Sequence, residues 1–165
     1  MRDADLADVG LNKRPATNPG YCAECLFDFA PSVYDYFPKL EAVEDQITAF
    51  TKTVGITTTI TSRLRTCCEQ AALYNAGKSK AAPTASQHEF GLAFDCVPTA
   101  GLSRYGASKA EGIGWLVALA KFFGADGIAE ASHAHIQWYT SEQWARFIRA
   151  RDIASSIPIP GKRPK

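Results

Sequence analysis

The sequence predicts an α+β domain in which helices flank a small antiparallel sheet, and three observations carry that expectation. Two stretches, Gly91-Leu-Ala-Phe-Asp-Cys-Val97 and Ser132-His-Ala-His-Ile-Gln-Trp138, alternate with the period of two that half-buried strands have. Ile56-Thr-Thr-Thr-Ile-Thr-Ser62 is a β-branched run bounded by Gly55, the signature of a third strand. Segments with helical spacing fall between and after these runs, in the order β, α, β, α, β, α.

Taken in order, residues 1–21 carry the turn signals Asn12-Lys-Arg-Pro15 and Asn18-Pro-Gly20 and no steady period, and are expected to form an N-terminal arm. Residues 22–154 then make one domain. Val33, Phe37, Leu40, Val43, Ile47 and Phe50 are spaced as one helical face, with Pro38 starting or kinking that helix. After the Ile56–Ser62 strand, a second helix starts at Thr66 and stops at Gly77. Residues 78–87 form a loop. After the Gly91–Val97 strand, a loop follows Pro98, and Ser108 with Glu111 caps a third helix. Trp115, Leu116, Leu119, Phe122 and Phe123 are its expected core face. Beyond the 132–138 strand, Thr140 opens a last helix with Ala145, Phe147 and Ile148 inward. Residues 155–165, with three prolines and three basic residues, form a polar tail.

Composition excludes several classes. The chain has 165 residues, enough for one domain burying roughly 70% of its unfolded surface. A net charge of +1 gives no argument for nucleic acid or an anionic membrane as partner. No apolar run reaches the ~20 residues of a membrane span. The acidic start Met1-Arg-Asp-Ala-Asp-Leu-Ala-Asp8 has no apolar core of a signal peptide, so synthesis in a cytoplasm is expected. A monomer is expected. Without an export signal, the five cysteines are most simply reduced. Only Cys67-Cys68 could complete a four-sulfur set with Cys22-Ala-Glu-Cys25. Neighbours on a helix point about 100° apart, a poor arrangement for one metal, so buried thiols are expected instead.

The chemistry concentrates in Ser86-Gln-His88-Glu-Phe-Gly91-Leu-Ala93-Phe-Asp95 and in His133-Ala-His135. Asp95 shares a strand face with Ala93 and Val97, while His133, His135 and Gln137 share another. A lone histidine is more often structural than a ligand. Here all three histidines fall at His-x₆-Asp or His-x-His spacing. Two imidazoles and one carboxylate suit zinc and leave an open fourth position, the catalytic arrangement. Non-haem Fe(II) takes the same donor set but usually reads His-x-Asp with a distant His, so zinc is the expected metal.

The ordered set Thr61-Ser-Arg63-Leu-Arg65-Thr66, Glu69-Gln70-Ala-Ala-Leu-Tyr74, Ser86-x-His88-x-x-Gly91-x-Ala93-x-Asp95 and His135-Ile-Gln137 resembles the family M15 zinc peptidases. That group holds D-alanyl-D-alanine carboxypeptidases and phage L-alanyl-D-glutamate endopeptidases, and shares its fold with the hedgehog domain. The resemblance spans roughly residues 56–147. It implies a hedgehog/DD-peptidase-like zinc domain whose metal-activated water hydrolyses peptide bonds of peptidoglycan stems. It implies His88, Asp95 and His135 as ligands, Arg65 as a holder of substrate carboxylate or oxyanion, and Gln70 as a partner of Arg65 or substrate. Ser86 is expected to orient its neighbours or touch substrate. It further implies an endolysin-like product that reaches the cell wall after release or as a phage-encoded protein.

One departure matters. Many members carry an acid three positions before the last ligand, where this chain has Ser132. Glu130 and His133 are the substitutes, with His133 expected as base or transition-state stabiliser. A shifted register, with Glu130-Ala-Ser-His133 as E-x-x-H and His133 as ligand, stays open. So does a catalytically silent, zinc-dependent binding module.

Overall fold

The computed structural model describes residues 9, 11–13, 22, 25, 27–29 and 38–156. Val33 and Phe37, most of the 1–21 arm, and the tail beyond residue 156 lie outside the described residues. In chain order the elements are β1 (Leu11–Lys13), β2 (Phe27–Phe29), α1 (Pro38–Thr53), β3 (Thr57–Ser62), α2 (Cys67–Asn75), β4 (Ala93–Ala100), α3 (Lys109–Phe122), β5 (Asp126–Ala129), β6 (Ala134–Gln137) and α4 (Ser141–Ser155). They divide into two compact units: residues 38–64 with Gly91–Trp138, and Arg65–Phe90 with 139–156 and the N-terminal strands.

The first unit is the expected α+β arrangement. Its four-stranded sheet has the order β3-β4-β6-β5 and is antiparallel throughout. Helix α1 begins at Pro38, whose missing N–H costs nothing where no intrahelical partner exists. It buries Leu40, Val43 and Ile47, one stripe at i, i+3 and i+7. That stripe joins Phe94 and Cys96 of β4, Ala134 and Ile136 of β6, and Ile113, Leu116 and Ala120 of α3 in one core. Each large apolar side chain fully buried there contributes about 1.5–3 kcal/mol. Helix α3 starts at Ser108, whose hydroxyl accepts from the Glu111 N–H while the Glu111 carboxylate accepts from the Ser108 N–H.

Three expectations are corrected in this unit. Strand β4 does not stop at Pro98 but runs to Ala100, and Pro98 pairs with Thr58 beside a register shift, where a missing N–H is tolerated. It ends at Gly101 (φ 91°), where a Cβ would lie 2.1 Å from the Gly55 carbonyl oxygen. Strand β5 was not anticipated; Asp126-Gly-Ile-Ala129 is largely exposed and is a strand because it pairs with β6. The aromatic stripe of α3 is not all core. Its sheet-facing residues are Gly112, Ile113, Leu116 and Ala120, whereas Trp115 is 40% and Phe122 82% exposed. With Phe50, Tyr105 and Leu119 these two line an apolar hollow of about 470 Å³.

The second unit pairs β1 with β2, from Leu11 opposite Phe29 to Lys13 opposite Phe27, and β1 lies inside the 1–21 arm expected to lack regular structure. Helices α2 and α4 both start on capping boxes, Thr66 with Glu69 and Thr140 with Gln143. Phe147 of α4 packs edge-on to Phe90 at 4.9 Å. The inward face of α4 is Phe147 and Ala150; Ala145 is exposed and Ile148 only part-buried, so the expected stripe is rotated. Cys25 and Cys67 form a disulfide, against the expectation of reduced thiols. Sequence spacing does not report a pairing that tertiary proximity creates across 42 residues. No helix among the described residues is long and apolar enough to cross a membrane.

Candidate functional site

In the sheet unit, Asp95 of β4 stands opposite His135 of β6. Period two buries Phe94, Cys96, Ala134 and Ile136 in the core and turns Asp95 and His135 to the other face. His135 Nδ1 is 3.0 Å from Asp95 Oδ1. The two side chains are 13% and 9% exposed, so the carboxylate is shielded from water yet faces a polar partner.

His133 immediately precedes β6. Its Nε2 lies 3.4 Å from the same Asp95 Oδ1 and 3.7 Å from Glu130 Oε2. Its Nδ1 is 2.8 Å from Ser132 Oγ. Residues 130–133 close the β5–β6 turn, with the Glu130 N–H donating to the His133 carbonyl at 2.9 Å. That turn bends Glu130 back toward His133. The Ser132 hydroxyl at Nδ1 orients the His133 ring.

The remaining expected residues lie in the second unit. His88 is 4% exposed and sits in a single 3₁₀ turn, Gln87–Phe90, where the expected lead-in folds up. Ser86 precedes that turn, and its hydroxyl accepts from the His88 N–H at 3.3 Å. The His88 carbonyl accepts from the Arg65 N–H at 3.1 Å, tying the two residues together through their backbones. The Arg65 guanidinium donates from Nη1 to Gln70 Oε1 at 2.7 Å. Gln70 is fully buried, and its amide donates to Ser79 Oγ at 2.9 Å and to the Ala81 carbonyl. Arg63, the other arginine of the Thr61–Thr66 segment, instead forks onto Glu44 of α1 through Nε and Nη2.

Glu89 was not among the expected residues. It is 1% exposed and accepts from the N–H groups of Thr84 (2.9 Å) and Ser86 (3.1 Å). Burial pushes its carboxyl up to about 7, against the hydrogen bonds from Thr84, Ser86 and Ala85 and the Arg65 charge, which pull it down. Thr84 has φ 64°, a conformation that a β-branched residue rarely adopts. Glu89 therefore holds the loop that carries Ser86 and His88. The signal was present in the sequence: Ser86-x-x-Glu89 is a capping-box pattern.

Two sets among the described residues offer donor types that suit a metal: Cys22, Cys25 and Cys68, and His88, Asp95 and His135. The second set is the one expected for zinc. In a tetrahedron with bonds of 2.0–2.1 Å the ligand atoms stand about 3.4 Å apart. The 3.0 Å between His135 Nδ1 and Asp95 Oδ1 is within a few tenths of an ångström of that edge.

No family model matches the chain, and no curated protein matches it. Among solved structures it is similar to that of the LdcB LD-carboxypeptidase, which reveals the molecular basis of peptidoglycan recognition by that protein. The identity is 21%, the match covers 79% of this chain and 75% of that one, and the TM-score is 0.49. At that score the likeness bears on neither activity nor substrate.

Proposed function

We propose that this chain is a zinc peptidase that hydrolyses peptide bonds in peptidoglycan stems, with His88, Asp95 and His135 as the metal ligands. The observation that carries the reading is the Asp95–His135 pair, two donor atoms 3.0 Å apart on adjacent strands, with a third polar side chain, His133, on the same carboxylate. Zinc held by these two imidazoles and one carboxylate would supply a Lewis acid and lower the pKa of a water to about 7.

The chain's own groups do the rest. In the tautomer that donates Nδ1–H to Ser132 Oγ, the His133 Nε2 lone pair would accept the proton of the attacking water. Asp95 and Glu130, 3.4 and 3.7 Å from Nε2, then stabilise the imidazolium. Arg65, always charged and forked, holds a stem-peptide carboxylate or the developing oxyanion. Gln70 fixes the Arg65 fork, and Ser86 orients His88. In this reading the bond cut is D-Ala–D-Ala or L-Ala–D-Glu, and the enzyme is an endolysin-like monomer that acts on the wall after release or as a phage-encoded protein.

Digestion of purified muropeptides tests this reading. Fragment release that stops with a chelator and returns with zinc is expected, and release unaffected by chelation contradicts the metal's role. A second reading, a silent zinc-dependent binding module, is favoured by one observation: Ser132 occupies the position where many of the peptidases this chain resembles carry an acid.

A further inference from the structure

The first turn of α2 carries a sulfur cluster that the hydrolytic chemistry leaves unused. Cys67 and Cys68 are the first two residues of this nine-residue helix. Cys67 is bonded to Cys25. The Cys22 sulfur lies 3.0 Å from the Cys25 sulfur, and the Cys22 N–H donates to the Cys68 sulfur at 3.1 Å. The Cys25 N–H donates to the Cys22 carbonyl at 3.1 Å. The sulfurs of Cys22, Cys25 and Cys68 all lie within 4.8 Å of one another. Cys25 and Cys67 are buried, and Cys22 and Cys68 part-buried.

We propose that Cys22, Cys25, Cys67 and Cys68 form a redox-gated site for a soft divalent metal such as zinc, open when the Cys25–Cys67 bond is reduced and closed when it is intact. That adjacent helical cysteines point apart is no obstacle here, because Cys67 is bonded to Cys25 and the Cys68 sulfur accepts from the Cys22 N–H. A four-thiolate zinc with 2.3 Å bonds sets its sulfurs about 3.8 Å apart. Reduction lets the Cys25 and Cys67 sulfurs separate to that distance, the 3.0 Å Cys22–Cys25 gap must open slightly, and the Cys68 sulfur, within 4.8 Å of both, closes by at most about 1 Å. The N–H bond to Cys68 persists and strengthens toward a metal thiolate. Opening the disulfide takes two electrons and two protons from a dithiol reductant, which becomes a disulfide. Four thiols then lose four protons to solvent as four sulfur–metal bonds form. In the oxidised state Cys25 and Cys67 have no thiolate to give, and two ligands remain.

Cobalt(II) titration of the full-length chain tests this, since only sulfur ligands give an intense near-ultraviolet thiolate-to-cobalt band and the His/Asp set gives none. The expected result is one such site per chain after reduction and desalting, displaced by zinc, and no band from the oxidised chain. Cys22→Ser and Cys68→Ser, which keep the Cys25–Cys67 bond for folding, should each weaken the reduced-state band and its affinity. Counting alkylated cysteines by mass covers the case of a reduced chain that loosens without metal: zinc should shield four of the five. A reduced chain in which all five thiols titrate after denaturation, yet which gives no thiolate band and no shielding, overturns the proposal.

Discussion

Asp95 and His135 stand opposite each other on neighbouring antiparallel strands, with His135 Nδ1 3.0 Å from Asp95 Oδ1. Their strands are short, but both pack core residues on the reverse face, Phe94 and Cys96 on one and Ala134 and Ile136 on the other. The pair is therefore held by the sheet register rather than by a loop, as a site needing sub-ångström precision requires.

Metal content follows from this pair. Assayed with the Cys25–Cys67 bond intact, the chain should carry about one zinc, and Asp95→Ala and His135→Ala should each lose most of it. His133→Ala should keep it. Zinc lost from His133→Ala but kept by His135→Ala would establish the shifted register, and full occupancy in a His88→Ala, Asp95→Ala double variant would contradict the ligand set.

The two neighbouring arginines separate activity from stability. Arg65→Ala should lower turnover by roughly 10²–10³ with zinc retained, since one positioned donor to developing charge is worth about that. Arg63→Ala should keep turnover and lower resistance to urea, because Glu44, 8% exposed, loses its forked partner. Equal turnover in the two variants would return Arg65 to the ordinary surface arginines.

Glu89 tests the support beneath His88. In Glu89→Ala two N–H groups, of Thr84 and Ser86, lose their acceptor in a buried loop. At ~1–3 kcal/mol each, the variant should be about 2–6 kcal/mol less stable by chemical denaturation. Glu89→Gln keeps one acceptor oxygen and should lose less. A Glu89→Ala chain as stable as the parent would mean that the loop is held by other contacts.

Much of this was legible in the sequence because local rules and tertiary packing agree. Ser108 with Glu111 marks the start of α3, and alternation in Gly91–Val97 assigns Asp95 to the face opposite Phe94. What escaped depends on partners distant in sequence. Asp126–Ala129 is a strand only because β6 lies beside it, and Cys25 meets Cys67 only in the fold. Trp115 and Phe122 read as core because helical period gives a stripe's direction but not how much of it the sheet covers. Glu89 was overlooked because a buried carboxylate beside a histidine blends into the motif that contains it. The ligand set, the base and the substrate remain proposals drawn from that motif and tested by the variants above.

The most direct test compares wild type with His133→Ala and Glu130→Ala on purified muropeptides, with fragments identified by mass and zinc measured in each preparation. The proton of the attacking water needs an acceptor within hydrogen-bond reach, and His133 Nε2 is the one fixed by neighbours, through Ser132 at Nδ1. Wild type should release fragments cut at a single stem-peptide bond, zinc-loaded His133→Ala none, and Glu130→Ala fewer than wild type. A wild-type chain that holds zinc and releases no fragment from any muropeptide would contradict the peptidase and leave the binding module.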